Sequence, residues 1–266
     1  MPVHTTITIP RLSQKEFGEI AYTVMQHVFA IQRDFGRFFD ERIYKQELAL
    51  RLPGVKLEVP VTVTHASFVK QYFLDALISD AAIFEFKTVD KLGPRHRSQL
   101  LHYLFLLDLA HGKLVNMRTT EVEHEFVNTT LTTAQRTHFA VNRDAWQAGS
   151  PGADALESII IPLLQDLGTG LDLALYEETV THLLGGEASV LHDIVVTGTN
   201  DVRLGEQTLR LAAGETAFKI TTFSELPESF TGHCRRLLAH TRLQAIQWVN
   251  ITHGNVVMTT VGRQKN

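Results

Sequence analysis

The stretch YFLDALISDAAIFEFKTVDKL, residues 72–92, constrains the fold more than any other part of the chain. It consists of two apolar runs on either side of a polar turn at Asp80, a pattern typical of a β-hairpin within a buried sheet. Ionised side chains are rarely buried in such strands without partners. Here, however, Asp75 lies in the first run, and Glu85 and Lys87 lie in the second. The hairpin therefore predicts a sheet, and its charged side chains require a chemical explanation.

The register of the hairpin brings these charges together. A turn of odd length centred on Asp80 places Asp75 directly opposite Glu85, with Cβ atoms roughly 5 Å apart. The two-residue period of a strand places Lys87 on the same face as Glu85. Two facing carboxylates repel each other unless one is protonated or a cation enters. Oxygen ligands suit a hard cation such as Mg²⁺ or Mn²⁺, and Lys87 could then hold a phosphate oxygen or orient a water.

A more ordinary interpretation of the same strands is a solvated face on which Lys87 is simply an ion-pair partner. From the two strands alone this interpretation is favoured. Polar residues outside the hairpin bear on the choice. Gln99 and Tyr103 are four residues apart, so they project from one face of a helix, and Glu41 in an earlier helix could add a further acid to the site.

The rest of the first half predicts helices around a mixed sheet. Ser13 and Glu16 form the capping-box pattern that begins a first helix. A second helix is predicted at about residues 38–52, and a third from Pro94 to about residue 111. Strands are predicted at about residues 55–63, 71–78, 81–89, 113–117 and 125–130. The element order α-α-β-β-β-α-β-β indicates an α/β fold, a mixed central sheet flanked by helices.

The pattern then restarts after a segment, residues 132–155, whose glycines and proline predict a linker. A steady offset of 132 to 134 residues relates the two halves, which favours an internal duplication. The domains predicted are therefore residues 1–131 and 156–266. The clearest matches between them are Gly36 with Gly168, Tyr44 with Tyr176, Phe84 with Phe218, and Asn116 with Asn250.

The second half lacks every candidate site residue at the matching position. The replacements are Leu173 for Glu41, Leu209 or Arg210 for Asp75, Lys219 for Glu85, Thr221 for Lys87, His233 for Gln99, and Leu237 for Tyr103. The second half is therefore expected to keep the fold and to lack the metal site.

The ordered motifs of the first half resemble a known family. The segments GRFFDERIY, a lone Asp, FEFKTVDKLGPRHRSQLLHYL and EFVN are similar to the PD-(D/E)XK nuclease superfamily, and more narrowly to its GxxExxxR family. The resemblance covers about residues 13–130. It departs from the family at Arg37-Phe38-Phe39, where a second loop glycine is usual, and at Ala30, where a glutamate is often found.

The resemblance implies a metal-dependent nuclease that hydrolyses phosphodiester bonds with Mg²⁺ or Mn²⁺. It implies metal ligands at Asp75 and Glu85, with Glu41 as a helical acid near the metal. It implies a catalytic lysine at Lys87. Gln99 and Tyr103 would correspond to the Q-x-x-x-Y motif of the RecB-like branch, which positions the substrate or the site.

Composition sets the expectations for partners and location. The formal net charge of −4 lacks the basic body of a purely electrostatic nucleic-acid binder, so nucleic acid would need a local patch or bound cations. DNA is favoured over RNA, and a homodimer or a pairing of the two halves would supply a partner surface. One cysteine, no long apolar run and no secretory pattern at the N-terminus predict a cytoplasmic protein without a membrane partner. The alternative function is a non-catalytic nucleic-acid-binding or protein-interaction module.

Overall fold

A computed structural model describes residues 2–263, apart from the side chain of Glu228. The chain forms two compact units. The first comprises the residues up to 64 together with residues 69–133, and the second comprises residues 65–68 together with the chain from residue 134 onward. In the described part of the chain, every helix is too short or too polar to cross a bilayer.

The first unit builds a six-stranded sheet in the order β1-β2-β3-β4-β5-β6. Strands β3 and β4 are antiparallel, β4 and β5 are parallel, and β5 and β6 are antiparallel. Its elements are β1 Val3–Thr5, α1 Gln14–Phe35, α2 Glu41–Arg51, β2 Val55–His65, β3 Phe68–Ile78, β4 Ala82–Lys87, α3 Pro94–Leu106, β5 His111–Asn116 and β6 Glu123–Asn128.

Local chemistry explains where helix α1 begins and ends. The predicted capping box is present: Ser13 Oγ accepts the N–H of Glu16 at 3.3 Å, and the Glu16 carboxylate accepts the N–H of Ser13 at 2.8 Å. These hydrogen bonds lower the pKa of Glu16. The helix ends at Gly36, whose φ of 72° is open to glycine at little cost.

Helix α3 is shorter than predicted and ends at Leu106 instead of near residue 111. Asp108 adopts a left-handed φ of 53°, and the N–H of Leu109 donates to the carbonyl of Leu104 at 2.8 Å. This is the hydrogen bond of a Schellman-type helix end, with aspartate in the position that glycine usually takes. The early end leaves His111–Asn116 free to form β5, which pairs with both β4 and β6.

The core of the first unit lies between helices α1 and α2 and one face of the sheet. Phe17, Val24, Val28 and Ile31 on α1 pack with Leu48 on α2 and with apolar side chains of β3, β4 and β5. The helical spacing of these residues on α1 and their near-complete burial explain why the sequence periodicity predicts this helix. The packing holds α2 and the hairpin β3–β4 against each other.

The second unit builds another six-stranded sheet, in the order β7-β12-β11-β10-β9-β8. Strands β10 and β11 are parallel, whereas β8·β9, β9·β10 and β11·β12 are antiparallel pairs. Its elements are β7 Ala140–Ala145, α5 Ala153–Leu167, α6 Leu173–Leu183, α7 Glu187–Val190, β8 Leu191–Thr197, a 3-10 turn Thr199–Asp201, β9 Arg203–Ala213, β10 Thr216–Thr221, α8 Glu228–Ala239, β11 Ala245–Ile251 and β12 Asn255–Gly262. A short helix α4, Thr133–Arg136, precedes them.

The α/β prediction, with a mixed sheet flanked by helices in each half, is confirmed by the two sheets. The linker predicted at residues 132–155 differs from the structure, because this segment contains α4 and β7, and β7 pairs in parallel with β12. Arg136 explains the anchoring: its buried guanidinium donates to the carbonyls of Leu167 at 3.1 Å and Thr169 at 2.9 Å. Because the segment is polar in composition, these contacts could not be predicted from its sequence.

A tyrosine fixes the loop between the first two helices in each unit. In the first, the Tyr44 hydroxyl donates to the carbonyl of Gly36 at 2.8 Å and accepts the N–H of Phe39 at 3.2 Å. In the second, the Tyr176 hydroxyl donates to Gly168 at 2.7 Å and accepts the N–H of Leu171 at 3.0 Å. The same two bonds therefore recur at an offset of 132 residues. Each tyrosine ring is buried.

We expect Tyr44→Phe and Tyr176→Phe each to lower the free energy of unfolding of the affected unit by about 1–3 kcal/mol, because each leaves a carbonyl and an N–H without a partner. Urea unfolding followed by circular dichroism measures this effect. Tyr22→Phe is the control, because Tyr22 is exposed and its substitution should change stability by less than about 0.5 kcal/mol. A loss no larger than that of the control would contradict the role given to these hydroxyls.

Candidate active site

The hairpin β3–β4 has the register that the sequence predicts. Ala76 pairs with Phe84, and Leu77 pairs with Ile83. The turn is made by Ser79 and Asp80, which both adopt a positive φ, so the strands reverse direction over a short tight turn. This register carries the next pair of positions, Asp75 and Glu85, toward each other.

Hydrogen bonds hold the hairpin charges in a compact group. Asp75 Oδ2 accepts the N–H of Phe86 at 2.9 Å. Lys87 Nζ lies 2.6 Å from Glu85 Oε1 and 3.9 Å from Asp75 Oδ2. The ammonium group of Lys87 therefore bridges the two carboxylates, with one short contact and one long contact.

Glu85 is the most unusual member of this group. The residue is 1% exposed, and its Oε2 atom is buried without a hydrogen-bond partner. Burial and, to a smaller extent, the negative charge of Asp75 together raise the pKa of Glu85 to about 8 against the opposing effect of Lys87. A buried carboxylate oxygen without a partner is costly, so it requires a cation or a proton.

Helix α2 adds Glu41, as the sequence predicts for a further acid, and also adds Lys45, which sequence reasoning missed. Lys45 Nζ contacts Asp75 Oδ1 at 2.8 Å, Glu58 Oε1 at 2.5 Å and Glu41 Oε1 at 3.2 Å. Burial raises the pKa of Glu41, and the charge of Asp75 raises it further. The four predicted residues Glu41, Asp75, Glu85 and Lys87 thus share one site with Lys45.

Glu58 on β2 was also missed by sequence reasoning. It adopts a left-handed φ of 51°, an unfavourable conformation for a residue with a Cβ atom. Pro60, two residues later, was the signal available in the sequence, because proline within a strand indicates an edge or a bulge. The irregular backbone accompanies the contact of the Glu58 carboxylate with Lys45.

Gln99 and Tyr103 lie on helix α3, as predicted, and they interact with each other. Burial, against an opposing hydrogen bond from Gln99 and with a smaller contribution from the charge of Glu85, raises the pKa of Tyr103 to about 12. Tyr103 also packs edge-on against Tyr72 of β3, with ring centroids 6.2 Å apart. The Gln99–Tyr103 pair therefore lies near the carboxylates without contributing a charge.

An open cleft of about 580 Å³ lies beside these residues, lined in part by Glu41, Lys45, Glu58 and Thr88. The cleft gives solvent, and any ligand of suitable size, access to Glu41 and Glu58, whereas Asp75, Glu85 and Lys87 do not line it. Thr88 directly follows Lys87, so the cleft approaches the end of β4 where the lysine lies.

A divalent cation fits the donor chemistry of this site. Within residues 2–263, no group of three or more His, Cys, Asp or Glu side chains has the arrangement needed to hold a metal ion. Two ammonium groups contact the carboxylates of this site directly. The Oε2 atom of Glu85 nevertheless remains buried without a hydrogen-bond partner. Hard oxygen donors with excess negative charge suit Mg²⁺ or Mn²⁺.

The comparison with known families agrees with this arrangement. Residues 18–128 match the model of the PD-(D/E)XK nuclease superfamily. That span contains all six predicted site residues and most of the first unit, which supports the superfamily part of the resemblance for this segment. No curated protein and no solved structure matches the chain.

The sheet of the second unit lies outside the segment that matches the PD-(D/E)XK model, and neutral side chains form hydrogen bonds at the end of its strand β10. The parallel pair β10·β11 aligns Lys219 with Trp248, as β4·β5 aligns Glu85 with Leu114. Thr221 Oγ1 donates to Asn250 Oδ1 at 2.7 Å and accepts the indole N–H of Trp248 at 2.8 Å. Lys219 is exposed, whereas Glu85 is buried.

Proposed function

We propose that the chain is a divalent-metal-dependent nuclease of the GxxExxxR branch, with its active site in the first unit. One observation carries the proposal: Glu85 is buried, its Oε2 has no partner, and Asp75 and Lys87 flank it. The match of residues 18–128 to the superfamily model supports a nuclease function for this group of residues. An ordinary ion pair between strands would not leave a buried carboxylate oxygen unsatisfied.

Asp75 and Glu85 would hold the cation, Mg²⁺ or Mn²⁺, with Glu41 as a further acid near it. When bound, the cation supplies Lewis-acid stabilisation of the phosphodiester charge and makes water a better nucleophile. The protein orients Asp75 from two sides, because Lys45 contacts Oδ1 and the N–H of Phe86 binds Oδ2. A carboxylate held in this way loses little entropy when it binds a ligand.

Lys87 acts on the substrate side of this site. Its ammonium group has three donors, of which the contact to Glu85 uses one. The others can bind a phosphate oxygen and stabilise the charge that develops on it. Gln99 and Tyr103 position the wall of the site, since their hydrogen bond fixes the face of α3 that lies near Glu85.

Nucleic acid is the substrate class that fits this chemistry, and we propose DNA in preference to RNA. The chain carries a net charge of −4, and the site itself is rich in carboxylates, so an approaching phosphate is repelled until a cation is bound. Binding of nucleic acid is therefore expected to depend on the divalent ion, and this dependence separates the site from a simple basic binding surface.

We further propose that the second unit is a degenerate copy of the first. Strands β8 to β12 have the same order as β2 to β6, and the parallel pair β10·β11 has the same place in this order as β4·β5. Two long helices precede each set, α1 and α2 in the first unit and α5 and α6 in the second, which adds the short helix α7 and a second parallel pair, β7·β12. Asn116 and Asn250 add support: each side chain binds both backbone groups of a residue after the preceding strand, Val89 in the first unit and Phe223 in the second. The asparagine and the residue that it binds are shifted along the chain by the same number of residues between the two units.

A cleavage screen tests the proposed function. The full chain is incubated with end-labelled single-stranded DNA, double-stranded DNA and RNA, in Mg²⁺, in Mn²⁺ and in EDTA. We expect cleavage that requires Mg²⁺ or Mn²⁺ and is lost in EDTA, with DNA cut faster than RNA. Binding without cleavage in either metal would favour the non-catalytic alternative and would contradict the proposal.

A further inference from the structure

Lys45 occupies an exceptional place in the first unit. Its side chain is 6% exposed, and its Nζ contacts three carboxylates, those of Glu41, Glu58 and Asp75, between 2.5 and 3.2 Å. The ammonium group is therefore fixed among three acids and contacts Oδ1 of Asp75, whereas Lys87 lies nearer to Oδ2.

The charges around the site favour a single divalent ion. Four carboxylates, those of Glu41, Glu58, Asp75 and Glu85, face two ammonium groups, those of Lys45 and Lys87. When all four carboxylates are ionised, the difference is two negative charges, which one divalent cation neutralises. A second divalent ion would have to displace Lys45 from Asp75 Oδ1.

The geometry leads us to propose that Lys45 takes the place of a second metal ion, so that the site binds one divalent cation held by Asp75 and Glu85. This inference rests on the proposed metal-dependent function and adds the number of ions and the residue that sets it. Lys45 acts as a positioning residue: it fixes Asp75 from one side and neutralises Glu41 and Glu58.

The backbone of Glu58 supports this role independently. A residue with a Cβ atom at a φ of 51° is held in an uncommon conformation, and such strain is usually retained where the surroundings demand it. The Glu58 side chain is half-exposed and could extend into solvent, but it contacts Lys45 Nζ instead. Glu58 thus adopts an unfavourable backbone conformation while its carboxylate holds Lys45 in place.

Calorimetric titration with Mn²⁺ tests the inference on the full chain. Wild type should bind one ion per chain. Lys45→Met should bind two ions, because removal of the ammonium leaves three facing carboxylates with an uncompensated charge. Lys45→Gln, which keeps a polar side chain among the acids, serves as the second variant and should also bind two ions. Lys56→Met is the matched control, because Lys56 lies on the same strand as Glu58 but bridges Asp80 at 2.7 Å, and this variant should bind one ion.

Thermal unfolding gives a second readout, which does not depend on cleavage activity. In EDTA, the two Lys45 variants should melt below wild type, and excess Mn²⁺ should raise their melting temperatures more than it raises that of wild type. Wild type that binds two ions, or Lys45 variants that bind one ion with wild-type affinity, would overturn the inference while leaving the proposed nuclease intact. Wild type that binds no ion would overturn the proposed function as well.

Discussion

Asp75→Asn is expected to abolish Mn²⁺ binding to the first unit and to lower the cleavage rate by at least about 10³-fold, since a bound metal contributes several kcal/mol to such a reaction. Asp75 contacts Lys45 through one oxygen and the N–H of Phe86 through the other, and it lies beside Lys87. The amide has nearly the same shape but no charge, so the effect reports the loss of a ligand and not the loss of packing.

Calorimetry with Mn²⁺ and a cleavage assay on the same preparation measure both effects. Asp80→Asn is the matched control, because it makes the same chemical change in the same hairpin, where the left-handed φ of 55° is one that asparagine tolerates. The control should bind Mn²⁺ and cleave as wild type does. Unchanged Mn²⁺ affinity in Asp75→Asn would show that the ion binds elsewhere.

Lys87→Met is expected to give the second large effect, a fall in the rate of the chemical step of roughly 10²–10³-fold with the metal still bound. Lys87 contacts Glu85 Oε1 at 2.6 Å, and its aliphatic stem is matched in length by methionine. Removing the ammonium should strengthen the affinity for Mn²⁺, or leave it unchanged, because one competing cation is lost. The two effects, on rate and on affinity, therefore point in different directions.

Single-turnover cleavage at saturating Mn²⁺ isolates the chemical step. Lys91→Met, at an exposed position four residues farther along the chain, is the control and should react at the wild-type rate. A wild-type rate for Lys87→Met would remove this lysine from the mechanism. A loss of Mn²⁺ binding that accompanies the lower rate would instead assign Lys87 a structural role in the site.

The hairpin shows why part of this site could be predicted from the sequence. The strand period of two residues and the turn at Asp80 fix which side chains face each other, and the observed pairs Ala76–Phe84 and Leu77–Ile83 have the predicted register. Asp75, Glu85 and Lys87 follow from that register. Local rules of this kind need no knowledge of the rest of the chain.

Lys45 and Glu58 show what the sequence could not provide. Their contact crosses from a helix to a strand, so no period within either element predicts it. In the sequence, Lys45 looks like an ordinary exposed lysine on a helix, four residues after Glu41. Only the packing of α2 against the sheet buries it. The same limit applies to Asp108, where aspartate replaces the glycine that would have indicated the end of α3.

The second unit illustrates the same division between local and tertiary information. The constant offset identified Tyr176 and Asn250 from the sequence, and both make the backbone contacts that Tyr44 and Asn116 make. Strand β7 was missed because its partner β12 lies more than a hundred residues away along the chain. Pairing over such a separation leaves no periodic signal at the position of the short strand itself.

The most direct test of the central claim is the Mn²⁺-dependent cleavage activity across a gel-filtration profile of three proteins: wild type, Glu85→Gln and Lys219→Met. Glu85→Gln alters the proposed site in the first unit, and Lys219→Met alters the corresponding strand position in the second. The account predicts activity that coincides with the protein peak for wild type and Lys219→Met and is absent from the peak of Glu85→Gln. Equal activity in the Glu85→Gln peak, or no activity in the wild-type peak, would contradict it.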